Sequence, residues 1–184
     1  MLFLIVYVSA LLVAISLGLM AAWSDYRGMV IPNIYSLGII VAFAFAYMAC
    51  HLGGQPDVFG PPGVHLKVAG AVFFITLLMW IVKALGGGDA KLLTAFALWA
   101  GLKPIIMLLF VMAVSGFFLA TASVLIGQFK PFKTVREGSW IAKAQAGQKV
   151  IPYGIPIVLG ALFMFYDAGY LDLQILQNFL EPAE

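Results

Sequence analysis

Long apolar runs constrain this chain more than anything else in it. A helix that crosses a bilayer needs about 20 mostly apolar residues, and runs that approach this length recur from the N-terminus onward. They cover residues 2–23, 31–51, 66–85, 104–127 and 152–170. The first run is not a convincing cleaved signal: no Lys or Arg precedes it, and it exceeds the roughly 7–15 residues of a signal's apolar region. Of the 184 residues, 64% are hydrophobic and only 10% charged, against about 25% charged in a soluble domain. Too few polar groups remain to cover a water-facing surface, which excludes a soluble globule, a disordered tail and a collagen-like chain. The net charge of +2 is too small for a nucleic-acid surface. Cys50 is the single cysteine, so no intrachain disulfide or tetracysteine zinc module can form.

The stretch 89–101 decides the topology. As helix it is about 20 Å long, short of a hydrocarbon core of about 30 Å, so it reads as either a re-entrant segment or a short span. Charge separates the two. The loop 128–151 carries Lys130, Lys133, Arg136, Lys143 and Lys149 against Glu137 alone, and short cytoplasmic loops collect Lys and Arg. If 89–101 crosses, that loop shares a side with Arg27, Lys83 and Lys91, and only Lys67 and Lys103 lie opposite. The expectation is an all-α integral membrane protein with six transmembrane helices, the fourth one short. It has no soluble domain, both termini lie outside the cytoplasm, and the whole of 1–184 is one membrane-embedded unit.

Eight acidic residues are few enough to weigh singly. Asp57, Glu137, Glu181 and Glu184 read as solvated, and Asp167 and Asp172 as interfacial. Asp25 and Asp89 stand apart. Asp25 follows the first span in Ser24-Asp25-Tyr26-Arg27-Gly28-Met29-Val30-Ile31-Pro32-Asn33, and Asp89 opens the fourth in Gly86-Gly87-Gly88-Asp89-Ala90-Lys91. The topology puts both on one membrane face. Taken singly, such residues read as a solvated span end or a helix N-cap. Three consecutive glycines argue for more: they remove side chains, permit positive φ and let an extended backbone approach the carboxylate. Two carboxylates that meet share one proton, since both cannot readily ionise at close range. The ionised one then takes a proton from water and the neutral one donates to a carbonyl, which suffices to hydrolyse an amide.

These residues resemble the type IV prepilin peptidases. Gly86-Gly87-Gly88-Asp89 matches the Gly-x-Gly-Asp signature of aspartyl intramembrane-type proteases. Asp25 with Ile31-Pro32-Asn33 looks like that family's first motif, Lys91 is usual there, and Pro152-Tyr153-Gly154 resembles its C-terminal Pro-Tyr-Gly. The resemblance implies a membrane aspartyl endopeptidase with Asp25 and Asp89 catalytic, which removes the basic leader of prepilins, pseudopilins or preflagellins at the cytoplasmic face of the bacterial inner membrane. It implies no metal and no cofactor. Long members carry an N-terminal cysteine zinc segment and methylate the new N-terminus. This chain opens on its first span and holds one Cys, so it looks like the short form of Flp/tight-adherence pilus systems, without methyltransferase activity.

Supporting roles are expected around the pair. Arg27 orients Asp25 or anchors the positive side. Lys91 neighbours Asp89 or a lipid headgroup. Pro32 fits the first turn of the second helix, Asn33 bonds backbone near Asp25 or simply initiates that helix, Gly86 and Gly88 open the approach, and Tyr153 faces the site. Trp140 anchors the basic loop at the interface, and anionic lipid attraction accounts for that loop. His51 and His65 have no acidic or thiol partner at useful spacing, and Cys50 is a small apolar filler. The competing readings are a small transporter, a non-catalytic pilus or secretion assembly subunit, and a presenilin-like or signal-peptide-peptidase-like protease, whose first motif differs.

Overall fold

The computed structural model describes residues 1–148 and 150–180. Lys149 of the basic loop and the tail residues Glu181 and Glu184 lie outside the described residues. Of the described residues, 77% are helical. It forms α1 (Leu2–Gly28), α2 (Asn33–Leu52), α3 (Pro62–Ile81), α4 (Gly87–Ala100), α5 (Pro104–Phe129), α6 (Trp140–Gln145), α7 (Gly154–Asp167) and α8 (Leu173–Leu180). A 3-10 turn over Pro56–Val58 precedes α3. No strand occurs among the described residues.

Prolines set several starts. Pro62 and Pro104 open α3 and α5, where a missing N–H costs nothing. Pro32 caps α2 from just outside its first turn, at φ −59° and ψ 139°. α1 ends where Met29 turns left-handed at φ 58° and its N–H bonds the Asp25 carbonyl at 2.7 Å. Asp25 therefore lies in the last turn of α1, one turn deeper than a residue following a span that stops at Trp23, because the helical ladder continues through Tyr26 to Gly28.

Among the described residues four helical stretches are long and apolar enough to cross a bilayer: Leu2–Gly28, Asn33–Leu52, Pro56–Ile81 and Pro104–Phe129. α4 and α7 have 14 residues each, about 21 Å of helix. α4 is the most enclosed element. Leu92, Ala95, Ala97 and Trp99 are fully buried, and it packs against α2, α3, α5 and α7. Its neighbouring helices surround most of it, and of its residues only Lys91 is exposed.

α1, α3 and α5 run toward one end of the bundle, and α2, α4 and α7 start there. Asp25, Lys83, Gly87 and Tyr153 meet at that end, Lys91 donates to Asn33 Oδ1 at 3.0 Å, and Ser123 donates to the Val150 carbonyl at 3.0 Å. The opposite end is closed by aromatic packing. Phe59 and Tyr170 lie 4.8 Å apart between ring centroids, and Trp99 and Phe165 5.2 Å. Tyr7 Oη donates to the Tyr170 carbonyl and Tyr170 Oη to that of Trp99, both at 2.8 Å. The His65 ring sits buried between the Leu98 and Phe59 carbonyls at 2.8 and 2.7 Å.

The basic loop is more structured than its composition suggests. Within it Ser139 caps α6, its Oγ accepting the Ala142 N–H. Trp140 is not an interfacial anchor. It is 6% exposed, with Nε1 donating to the Val150 carbonyl at 3.1 Å and to Ser123 Oγ at 3.3 Å. The loop folds back and seats this indole against α5 and Tyr26 of α1, where Ser123 and the Val150 carbonyl supply the acceptors that a buried indole N–H needs.

Candidate active site

Asp25 and Asp89, 64 positions apart in sequence, line one open cavity of about 440 Å³. Met29, Trp80, Lys83, Gly86, Ile151 and Tyr153 share its wall. The α1 end supplies Asp25 and the first turn of α4 supplies Asp89. The turn from α3 to α4, with Lys83 in the left-handed region at φ 59°, forms one side. The start of α7 forms the other.

Asp25 is 5% exposed, and its Oδ2 accepts the Gly154 N–H at 2.8 Å. That N–H belongs to the first residue of α7, whose early amides have no partner within the helix and carry the positive end of its dipole. A carboxylate is the natural acceptor. Asp89 is half-buried and leans back over Gly86. It is not the cap of α4: Gly86 holds that position, and no side chain caps it.

The glycines serve close approach and not unusual backbone angles. None of Gly86, Gly87 and Gly88 has positive φ. A Cβ on Gly86 would lie 2.6 Å from Asp89 Oδ2, one on Gly87 3.2 Å from Trp80 Nε1, and one on Gly88 3.0 Å from Ile31 Cβ. Side chains there would push on the carboxylate, on the cavity wall and on the segment joining α1 to α2.

Three expected supporting contacts are absent. Arg27 does not reach Asp25. It is exposed, with its guanidinium 5.2 Å from the Trp23 ring centroid, and it lines a separate cavity with Arg136 and Tyr35. Two residues along a helix turn a side chain by about 200°, so Arg27 and Asp25 point to different sides of α1. Lys91 turns from Asp89 for the same reason and reaches Asn33. Asn33 accordingly holds α4 to α2 and makes no bond near Asp25. Tyr153 does line the cavity, and Pro32 shapes the start of α2.

The Gly154 amide, Trp80 and Lys83 were missed as site neighbours. Only Gly154 left a signal: a Pro-x-Gly sequence that opens a helix marks a helix N-terminus with free amides, which suit an anion. Among the described residues no group of three or more His, Cys, Asp or Glu side chains is placed to hold a metal.

Fold and site together define a helical membrane protein with an acid pair at one end of its bundle. The chain belongs to the type IV leader peptidase family, whose model matches residues 12–121. That stretch runs from within α1 into α5 and includes both aspartates. No curated protein and no solved structure matches the chain. Membership supports, in general terms, a leader peptidase function of the prepilin type, and the family's activity is in general that of an aspartic-type protease.

Proposed function

We propose that this protein removes the basic leader of a prepilin-like protein at the cytoplasmic face of the bacterial inner membrane, with Asp25 and Asp89 as the catalytic pair. The observation that carries the reading is the presence of both carboxylates in one open cavity. One carboxylate, ionised, takes a proton from water. The other, neutral, donates a proton to the scissile carbonyl oxygen as the water oxygen bonds to carbon. Collapse of the tetrahedral adduct breaks the C–N bond, and a proton passes to the leaving amine. The pair titrates as a unit, so neither residue is assigned permanently to base or acid. The Gly154 amide holds Asp25 in place. The substrate enters extended, because carbonyls in a helix are already bonded.

Six spans fit this reading: α1 to α5 and α7 alternate in direction, with α4 shielded by its neighbours. Arg27, Lys83, Lys91, Lys130, Lys133, Arg136 and Lys143 belong to the end with the aspartates, and Lys67 and Lys103 to the other, as a cytoplasmic site requires. In this reading the whole chain is one membrane-embedded peptidase of the Flp/tight-adherence type, with no methyltransferase activity and no metal or cofactor. Its partners are its substrate and membrane lipids.

The test incubates purified protein with a prepilin and follows leader loss by mass spectrometry. Asp25→Asn and Asp89→Asn should each lower cleavage by at least about 100-fold, as expected for loss of a general acid or base, with the elution volume of the folded protein unchanged. Activity retained by either variant overturns the assignment. With S-adenosylmethionine added as methyl donor, a mass increase of one methyl group on the mature product would overturn the claim that it does not methylate.

A further inference from the structure

α3 packs on α4 and α5 packs on α7, while α3 and α5 make no extensive contact with each other. Between them lies a groove of about 340 Å³ floored by Leu93 and Ile157. Met79 forms one wall and Ala113, Gly116 and Ala120 the other. The groove is apolar. Thr76 also lines it, but its hydroxyl is turned to the Val72 carbonyl of its own helix at 2.8 Å. Ala84, Leu85 and Tyr153 line both this groove and the cavity that holds Asp25 and Asp89.

We infer that this groove seats the apolar helix of the substrate, so that the chain leaving it past Tyr153 is delivered extended to the two carboxylates. The inference rests on the leader-peptidase reading and adds where the substrate's span docks. Three observations favour a helix over a lipid tail. Ala113 and Ala120, at i and i+7, put small side chains on one face of α5, with Gly116 between them packed beneath on Pro156 and Tyr153 of the α7 start, and small side chains let a second backbone approach closely inside a membrane. The groove is continuous with the acid cavity, so its occupant continues there, and a lipid tail has no peptide to present. Met79 and Met112 supply flexible side chains that adapt to varied apolar partners.

The experiment uses the full chain, reconstituted with a prepilin that has a basic leader and an apolar segment of about 20 residues. Ala113→Cys supplies a groove thiol, and Phe118→Cys one on a lipid-facing site of α5 that does not line the groove. The native Cys50 is buried and does not compete. A cysteine in the prepilin's apolar segment should cross-link to position 113 and not to 118. In parallel, Ala113→Trp should lower kcat/KM by at least about 10-fold, mainly through KM, and Phe118→Trp should not. Ala113 is exposed in the chain alone, so the indole fits without disturbing the core. Equal cross-linking at both positions, or normal cleavage by Ala113→Trp, overturns the groove assignment and leaves the peptidase reading standing. Prepilin left intact by the unaltered protein overturns the peptidase reading, while the cross-link still reports on the groove.

Discussion

Gly154→Ala is the most direct test of how the site is held together. The Gly154 amide donates to Asp25 Oδ2 at 2.8 Å. A Cβ added at this glycine would stand 3.0 Å from both Asp25 Cβ and Oδ2, and 3.2 Å from Ile31 Cδ1. These contacts are tighter than nine in ten real Cβ contacts, so a neighbour must yield by a few tenths of an ångström. Asp25 has little freedom, because its own carbonyl is tied to the Met29 N–H. The new methyl therefore pushes the carboxylate off the amide that orients it. A hydrogen bond to a charged group contributes about 1.5–3 kcal/mol. Loss of most of it in the transition state should reduce kcat/KM by about 10- to 100-fold, since each 1.4 kcal/mol is worth about tenfold. The global cost should be the 1–3 kcal/mol typical of overpacking. Leader removal from a reconstituted prepilin, timed by mass spectrometry, reads the first effect, and thermal unfolding in detergent reads the second. Gly28→Ala is the control. Gly28 lies on α1, the helix that carries Asp25, its Cβ would meet nothing within 4 Å, and alanine in a helix is about 0.5–1 kcal/mol better than glycine. That variant should keep full activity and gain slightly in Tm. A folded Gly154→Ala protein with undiminished kcat/KM would refute the claim that this amide positions Asp25.

Other substitutions separate site from scaffold. Lys91→Met should change kcat/KM by less than about threefold, because the ammonium meets Asn33 rather than Asp89 and exposed polar ties contribute about 0–1 kcal/mol; a loss comparable to that of Asp89→Asn would return Lys91 to the chemistry. Arg27→Gln should likewise leave kcat unchanged, since its guanidinium lies over Trp23; a fall in kcat at unchanged KM would contradict that placement. Trp140→Ala should cost about 3–5 kcal/mol of stability, as for other buried aromatics, read as a marked drop in Tm, and an unchanged Tm would return the indole to the lipid interface. Tyr170→Phe should cost about 1–3 kcal/mol by leaving the Trp99 carbonyl without its donor, with cleavage unaffected at temperatures where the protein stays folded.

The two aspartates were legible in the sequence because carboxylates are scarce in an apolar chain and each sits where a helix begins or ends. The apolar runs likewise gave the long helices to within a few residues at most ends, since a bilayer sets their length. The apolar pattern did not show that α1 runs on through Gly28, and so did not show which way the side chains at its end point. Arg27 and Lys91 are each two residues from an aspartate and both face elsewhere, because helical rotation separates them. Trp140 reads as an interfacial anchor until Ser123 and the Val150 carbonyl, from other parts of the chain, are seen beside it. The same holds for the glycines before Asp89. The sequence shows that side chains are absent there, and only the packing shows that Ile31, Trp80 and the carboxylate itself fill the space.

The sequence alone determined an all-helical chain made of apolar segments, with two acidic residues at segment ends on a common face, because hydropathy and charge are properties of each residue and its near neighbours. The tertiary structure decided that the short α4 lies enclosed at the centre, that the first amide of α7 holds Asp25, and that the two carboxylates open into one cavity. Those facts depend on which helices lie side by side, and side-by-side packing joins residues such as Asp25, Asp89 and Gly154 that no local pattern relates.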